Sequence, residues 1–271
     1  MESREVLFGI SGWVALVALL AVTNGAAEIG YRIGFRRRQT ANESLRTQVT
    51  TIQASLLGAL ALLLGFSFSM ASTRFEMRRS LMVSEANAIS TAYLRASVMP
   101  EPERTQLRRL FRDYAAARIA HVDAGSNVTA VRAAEADAER LQRSIWNEMP
   151  GITSHASAPI AALMLASANE VFDSYTLRLA SMSNHVPDTI LVLIFVVSGS
   201  SMALVGYGAG LSGKRSTVPT VMAAVLFSLM AMLVIDLDRP RQGWIRVSEA
   251  PIIEALDAIM ADADDAPPAS K

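Results

Sequence analysis

The chain contains no cysteine, and its only lysines are at positions 214 and 271. The absence of cysteine excludes disulfides and thiolate metal sites. The 25 basic residues balance the 25 acidic ones, so there is no basic excess for nucleic-acid binding, and we expect no nucleic-acid partner. Arginine supplies nearly all of the positive charge. This bias reflects either genome composition or a preference for planar contacts with anions.

The sequence also lacks the motifs of common enzyme classes. It has no G-x-S-x-G, P-loop, dinucleotide fingerprint or H-E-x-x-H. Its three histidines, His121, His155 and His185, are far apart and lack metal-ligand spacing, so positions on helix surfaces are the simpler interpretation. We therefore expect no enzymatic activity, no cofactor and no metal site.

Long apolar runs are the main feature that is present, and hydrophobic residues make up 51% of the chain. A helix needs about 20 apolar residues to cross a bilayer. Four segments meet this requirement, at 6–27, 51–71, 189–210 and 218–235. The first lacks a basic leader and is longer than a signal-peptide core, which favours a retained anchor. The sequence thus predicts a multi-pass membrane protein in contact with the lipid bilayer.

Charges in the short connections predict the orientation. Spans one and two are joined through a segment that contains five arginines, and spans three and four through Lys214 and Arg215. Because cytoplasmic loops are enriched in cations, we expect both loops in the cytoplasm and residues 72–187 in the periplasm of a bacterial inner membrane. Arginines that follow spans two and four argue the other way: Arg74, Arg78, Arg79, Arg239, Arg241 and Arg246.

A G-Y-x-x-G signature ends both odd-numbered spans, at 30–34 and 206–210, and basic residues follow each copy. Glycines at this spacing favour close helix contact. The repeat predicts two hairpins related in parallel, with the basic ends of spans one and three on one face.

Residues 72–187 have helical periodicity. We expect span two to continue as one helix to about residue 97, followed by helices from about 103, at 128–148 and at 159–186, with Pro150 and Gly151 ending the third. The predicted inward side chains of the second and third helices are Leu107, Leu110, Phe111, Tyr114, Val131, Ala134, Ala138, Leu141, Ile145 and Trp146. A short helix at 251–260 and a disordered tail at 261–271 are expected to follow.

The predicted fold is an all-α membrane protein. Four transmembrane helices form two hairpins, and an extramembrane helical bundle is inserted between spans two and three. The expected domains are a first hairpin at 1–71, the bundle at 72–187, a second hairpin at 188–235 and a C-terminal segment at 236–271.

Span two contains the first candidate functional residues. Gly65 and Ser69 follow Ala61 at four-residue spacing, with Ser67 beside them. These small residues indicate either a helix contact or the wall of a pore. The neighbouring Phe66 and Phe68 would either form an apolar constriction or face lipid.

The end of span four contains the densest polar cluster next to the membrane, formed by Asp236, Asp238, Arg239 and Arg241. These residues either pair with one another and hold the end of the span, or form an ion vestibule. No charge lies at the centre of a span, which argues against a carboxylate-driven pump.

A polar side of the helix after span two contains Glu85 and Asn87. These two residues would line a cavity of the bundle, or would lie on a solvated or inter-subunit face.

Several segments resemble a family of bacterial membrane proteins known as bestrophin-like. The resemblance covers nearly the whole chain and rests on LLGFSFSMA (63–71), the Arg78-Arg79 pair, EANAI (85–89), TAYLR (91–95), Gly206-Tyr207 and IDLDRP (235–240) with Gly243 and Ile245. Bestrophins are oligomeric anion channels in which one helix from each subunit lines the pore. The resemblance implies a cytosolic soluble part, opposite to the charge-based orientation, and it does not extend to an acidic calcium-binding run.

Together these observations predict a homo-oligomeric membrane channel or pore for small inorganic anions. A non-conducting membrane scaffold or sensor, whose helical domain binds a partner or signal, is the alternative. A transporter is a third possibility, which the parallel repeats favour and the absence of intramembrane charge opposes.

Overall fold

A computed structural model of the chain describes residues 12–125, 127–182, 184–238, 245 and 248–264. The regular structure of these residues is entirely α-helical, as predicted. The helices are α1 (Gly12–Arg37), α2 (Glu43–Ala96), α3 (Glu103–Asp123), α4 (Val128–His155), α5 (Ala158–Met182), α6 (Asp188–Ser212), α7 (Thr217–Asp238) and α8 (Ala250–Asp264).

The helices belong to two compact units. Unit 1 comprises Met1–Phe75 and His185–Ile245, and unit 2 comprises Glu76–Asn184 and Arg246–Lys271. Helix α2 contributes its first part to unit 1 and the remainder to unit 2, which confirms the single helix predicted from span two to about residue 97.

Unit 1 contains the membrane-spanning helices. Within the described residues, α1, α2, α6 and α7 are long and apolar enough to cross a bilayer, and they coincide with the four predicted spans. Residues 6–11 of the predicted first span lie outside the described residues. The remainder of that span continues in α1 as far as Arg37.

The two G-Y-x-x-G segments pack directly against each other. A Cβ atom added to Gly30 would overlap the Ala203 carbonyl, and one added to Gly206 would overlap the Ala27 carbonyl. Gly30 meets Ala203, and Gly34, one turn later, meets Tyr207. The residue numbers of the contacts increase together, so α1 and α6 run in the same direction. The glycines are required here because they allow backbone to approach backbone. The repeat is thus an internal helix contact.

The predicted pairing of the spans as two hairpins is not confirmed. Helix α1 packs most closely against α6 and also contacts α7. Helix α2 joins unit 1 through larger side chains: Leu60 and Leu64 pack in a cluster with Leu19, Ile194 and Ala231. The glycine faces explain this difference, since they draw α1 and α6 closer than leucine contacts allow.

Unit 2 is a bundle built from the second part of α2 together with α3, α4, α5 and α8. Its core confirms most of the inward residues predicted for α3 and α4, and α8 adds Ile252, Leu256 and Ile259. Trp146 differs from the prediction, because it is 47% exposed. It lies at the edge of α4, with its ring 6.4 Å from that of Phe172.

Three predicted helix boundaries in this region are wrong. Helix α4 continues through Pro150 to His155, because its apolar stripe extends to Met149 and Ile152. The burial of these two side chains compensates for the backbone hydrogen bond that the proline removes. Helix α5 ends at Met182 rather than near residue 186. Helix α8 extends to Asp264, so the expected disorder from residue 261 is wrong for its first four residues, and residues 265–271 lie outside the described part.

Candidate functional site

The exposed face of α2 in unit 1 contains most of the residues predicted to line a pore. Gly65, Phe66 and Ser69 are exposed, and the exposed Leu62 and Gly58 extend the same face by one and two turns. The spacing of three and four residues places them in one stripe along the helix. The stripe combines small residues, a hydroxyl and an aromatic ring on the outside of unit 1.

Ser67 lies on the opposite side of α2. Its side chain is only 2% exposed, and its hydroxyl donates a 2.7 Å hydrogen bond to the Leu63 carbonyl of the same helix. Phe68 lies between the two faces and is 36% exposed. The predicted set from 65 to 69 is thus divided, and only Gly65, Phe66 and Ser69 belong fully to the exposed stripe.

Asp238 ends α7 and holds the start of α6. Its buried carboxylate accepts a 2.8 Å hydrogen bond from the backbone amide of Val186. Its Oδ2 atom also lies 3.7 Å from Nδ1 of His185. The side chain therefore connects the two ends of neighbouring membrane helices.

Asp236 makes a similar contact two residues earlier. Its Oδ2 atom accepts a 2.9 Å hydrogen bond from the backbone amide of Ile245, and its side chain is buried. These contacts with backbone amides match the structural role considered for the two aspartates, which is to hold the end of span four. Arg239 and Arg241 lie outside the described residues, and an ion vestibule at this position stays a prediction.

Glu85 is at the centre of a buried ionic cluster in unit 2. Its Oε1 atom lies 2.7 Å from Nε of Arg118 on α3, and its Oε2 atom lies 2.5 Å from Nη1 of Arg178 on α5. Two guanidinium groups and one carboxylate give the cluster a net charge of one positive unit. Asn87, by contrast, is exposed. The prediction that Glu85 and Asn87 share a polar face is therefore wrong, because the turn of the helix places only Glu85 inside.

Two tyrosines enclose this cluster. The Arg118 guanidinium lies 4.8 Å from the centre of the Tyr175 ring, a cation–π distance. The Tyr114 hydroxyl accepts a hydrogen bond from the Gln142 side chain. Burial raises the pKa of both Tyr114 and Tyr175 above the ordinary value, so both remain neutral near pH 7.

The sequence did not identify Arg118 and Arg178 as partners of Glu85, although a signal for each was present. Arg118 continues the inward stripe that contains Phe111 and Tyr114, and Arg178 lies one turn after the buried Ser174. An arginine on an otherwise buried face requires a counter-charge, because an unpaired buried cation is costly. The inward stripe of α3 could therefore have indicated a buried Arg118 from the sequence, whereas the burial of Arg178 follows from the structure.

Comparison with known proteins assigns the family. The sequence model of the Bestrophin-like domain matches residues 17–252, which is most of the chain. The chain belongs to the Bestrophin-like family. This confirms the resemblance found from the sequence, and the membership fits the membrane helices described above. No curated protein matches the chain.

Solved structures show the fold of the Bestrophin-like chain. A crystal structure of a bacterial bestrophin homologue from Klebsiella pneumoniae is 15% identical, with a TM-score of 0.67 over 94% of this chain and 99% of that one. A crystal structure described as that of a membrane protein is also 15% identical, with a TM-score of 0.69 over 94% of this chain and 99% of that one. The likeness at this identity establishes a bestrophin-like fold.

The described residues of the Bestrophin-like chain contain no group of three or more histidine, aspartate or glutamate side chains placed to hold a metal ion. The glutamate at the centre of unit 2 instead has arginine partners. The candidate residues in the described part of the chain form helix contacts, a buried ionic cluster and the exposed stripe of α2.

Proposed function

We propose that the protein is a homo-oligomeric ion channel for small anions, in which copies of the α2 stripe surround the conducting path. The exposed stripe of Gly58, Leu62, Gly65, Phe66 and Ser69 carries this proposal. Membership in the Bestrophin-like family supports it, because the resemblance implies a pore lined by one helix from each subunit.

The side chains of the stripe suit a selective pore. Phe66 is 65% exposed, so a ring of such side chains around an axis would form an apolar constriction that gates by excluding water. One turn further, Ser69 would offer a hydroxyl to a passing anion. Gly65 leaves space beside the aromatic ring.

Positive charge at one end of unit 1 supports the choice of anions. Arg36 and Arg37 lie in the last turn of α1, and Lys214 follows α6, which runs parallel to α1. The three side chains are exposed, so they raise the local concentration of anions near that end.

Conductance of the purified protein in planar bilayers tests the proposal. A chloride current is expected, with a changed single-channel conductance in Phe66→Ala and reduced anion selectivity in Ser69→Glu. Leu226→Ala provides a matched control, since Leu226 is an exposed side chain on α7. Absence of current in any salt, or equal currents in all three variants, would contradict the proposal.

We further propose that the protein resides in a bacterial inner membrane with its short loops in the cytoplasm. The cations around residues 36–38 and 214–215 support this orientation. The resemblance to bestrophins implies the reverse. Single cysteines at Gln39 in the first loop and Asp137 on α4 distinguish the two, because a membrane-impermeant thiol reagent will label only the external one in intact spheroplasts.

A membrane scaffold or sensor is the second candidate function, and exposed apolar side chains on unit 2 favour it. Leu94 and Val98 near the end of α2, and Leu163 and Leu177 on α5, are all more than half exposed. Exposed apolar side chains that form a contiguous patch often mark protein interfaces. Cross-linking from unit 2 to a different protein, combined with absence of current, would support this function. Contacts with other copies of the chain alone would favour the channel.

A further inference from the structure

A groove in unit 1 lies between α2, α6 and α7, next to the cationic end of the membrane helices. Its volume is about 610 Å³. Residues of α2 at positions 46, 50, 53 and 57 form one wall, because their spacing of three and four places them on one helix face. The groove therefore extends along α2 from the helix end into the apolar span.

The two ends of the groove differ in chemistry. Arg46 and Lys214 lie at the end that is close to the helix termini, and none of the lining residues is a carboxylate. Leu57, Val205 and Phe227 line the part further along the span. The two cations favour an anionic group at one end, and the apolar walls favour hydrocarbon at the other.

We propose that this groove binds one anionic phospholipid. Its phosphate lies between the Arg46 guanidinium and the Lys214 ammonium, and one acyl chain follows Leu57 and Phe227 into the bilayer. Basic pockets between membrane helices are a recognised way to bind anionic headgroups. The side-chain amide of Gln53, which also lines the groove, can donate a hydrogen bond to the ester and headgroup oxygens.

The size of the groove argues for a lipid and against free phosphate. An inorganic anion would contact the two cations and leave the apolar walls of the groove exposed to water. A volume of about 610 Å³ instead falls within the range of pockets that hold drug-sized ligands. The groove also begins where the membrane helices end, which is the level of lipid headgroups. This site does not depend on whether the protein conducts ions.

Lipid binding to the purified full chain tests the site. Native mass spectrometry and thermal unfolding in neutral detergent are measured with phosphatidylglycerol, phosphatidylcholine and inorganic phosphate. We expect one tightly bound phosphatidylglycerol per chain and a higher unfolding temperature with this lipid than with the other two additions. The double variant Arg46→Gln, Lys214→Gln is expected to weaken phosphatidylglycerol binding about tenfold, since each cation near a headgroup contributes to affinity.

Two further variants separate the groove from general charge effects. Arg36→Gln with Arg37→Gln removes the same charge from the same end of unit 1, but these side chains do not line the groove, so binding should be retained. Gly208→Leu fills the groove while both cations remain. A Cβ at Gly208 meets only the free end of the Gln53 side chain, at 3.1 Å, and Val49 at 3.6 Å, so the variant is expected to fold and to lose the lipid.

Several results would overturn the proposal. Equal stabilisation by phosphatidylcholine or phosphate would show that no anionic lipid is recognised. Equal loss of binding in the Arg36 and Arg37 double variant would show general charge attraction. Retention of the lipid in Gly208→Leu would show that the groove is not the binding site. Coverage of the groove by a second copy of the chain in an oligomer would show the same. If the double variant of Arg46 and Lys214 does not fold, Lys214→Gln alone serves, because Lys214 is exposed.

Discussion

Nε of Arg118 lies 2.7 Å from Oε1 of Glu85, and neither side chain is accessible to solvent. The second carboxylate oxygen of Glu85 binds Arg178, so one residue of α2 connects α3 and α5 through charge. Removal of the shared partner leaves both guanidinium groups buried without a counter-charge. The cluster therefore makes correct packing of three helices depend on one carboxylate.

The shared carboxylate is expected to stabilise unit 2 through its two ion pairs. Glu85→Leu is expected to lower the free energy of unfolding of unit 2 by about 3–5 kcal/mol, the usual cost of breaking a buried ion pair. Chemical denaturation followed by circular dichroism measures the change.

Two variants control the Glu85 experiment. Glu76→Leu removes an exposed carboxylate of the same helix, which lies 3.9 Å from Arg79, and is expected to change stability by less than about 1 kcal/mol. Replacement of Glu85 by Leu together with Arg118 and Arg178 by Met is expected to recover much of the lost stability, because no unpaired charge remains. Equal stability of Glu85→Leu and Glu76→Leu would show that the cluster does not stabilise the unit.

The glycine contact between α1 and α6 is expected to stabilise unit 1. Gly206→Ala is expected to destabilise unit 1 by about 1–3 kcal/mol, because its Cβ overlaps the Ala27 backbone and the helices must move apart. Thermal unfolding in detergent measures the effect. Gly25→Ala is the matched control on α1, where nothing lies within 4 Å, so it should leave stability unchanged or raise it by up to about 1 kcal/mol. Similar effects of the two substitutions would contradict the contact.

The chain has no native cysteine, so a single introduced cysteine reports on one position of α2. Single cysteines at Ser69 and Ser67 are expected to differ strongly in their rate of reaction with a water-soluble thiol reagent. Ser69 is on the exposed stripe, whereas Ser67 is 2% exposed and is hydrogen-bonded to its own helix. Rapid labelling of Ser69→Cys in lipid vesicles would also support contact of the stripe with water. Faster labelling at position 67 than at 69 would show that the faces of α2 are assigned incorrectly.

The stability of unit 2 is expected to depend on pH through Glu103. A hydrogen bond from its own backbone amide and a second contact, with His155 at 2.5 Å, lower the pKa of the Glu103 carboxyl below the ordinary value of 4.5. A lowered folded-state pKa means that the charged form stabilises the fold. This contribution is complete above the unfolded-state pKa and disappears as the pH falls through the folded-state pKa.

Thermal unfolding of the wild type and Glu103→Gln at a series of pH values tests this contribution. The wild type should be the more stable protein near neutral pH, and the difference should shrink once the pH falls below about 4.5, the ordinary carboxyl value. His155→Ala should lose part of the same pH dependence. A constant difference between wild type and Glu103→Gln at all pH values would show that this carboxyl does not supply it.

The membrane helices and the bundle were predictable because local patterns encode them. Each span is a long apolar run, and the inward stripes of α3 and α4 recur every three or four residues. The local pattern predicted a helix end at Pro150, and this prediction is wrong. Burial of Met149 and Ile152 extends α4 beyond it, and burial is decided by neighbouring helices.

For the candidate residues, too, the local sequence predicted some features, and only helix packing determined the others. The sequence placed Gly65, Phe66, Ser67, Phe68 and Ser69 on one helix, but it did not show which of them face outward. It also gave no partner for Glu85, since Arg118 and Arg178 are 33 and 93 residues away along the chain. Such pairs depend on how helices pack, which no local window of sequence contains.

The sequence by itself determined that this is an all-α protein with four membrane helices, a helical bundle and a bestrophin-like order of motifs, because hydrophobic length and helical period are local properties. Only the tertiary structure decided that the two glycine repeats bind each other and that Glu85 is buried between two arginines. It also decided that a groove with cations at one end lies beside α2. These features form where helices that are far apart in the sequence pack together. The strength of their interactions depends on the burial that this packing produces.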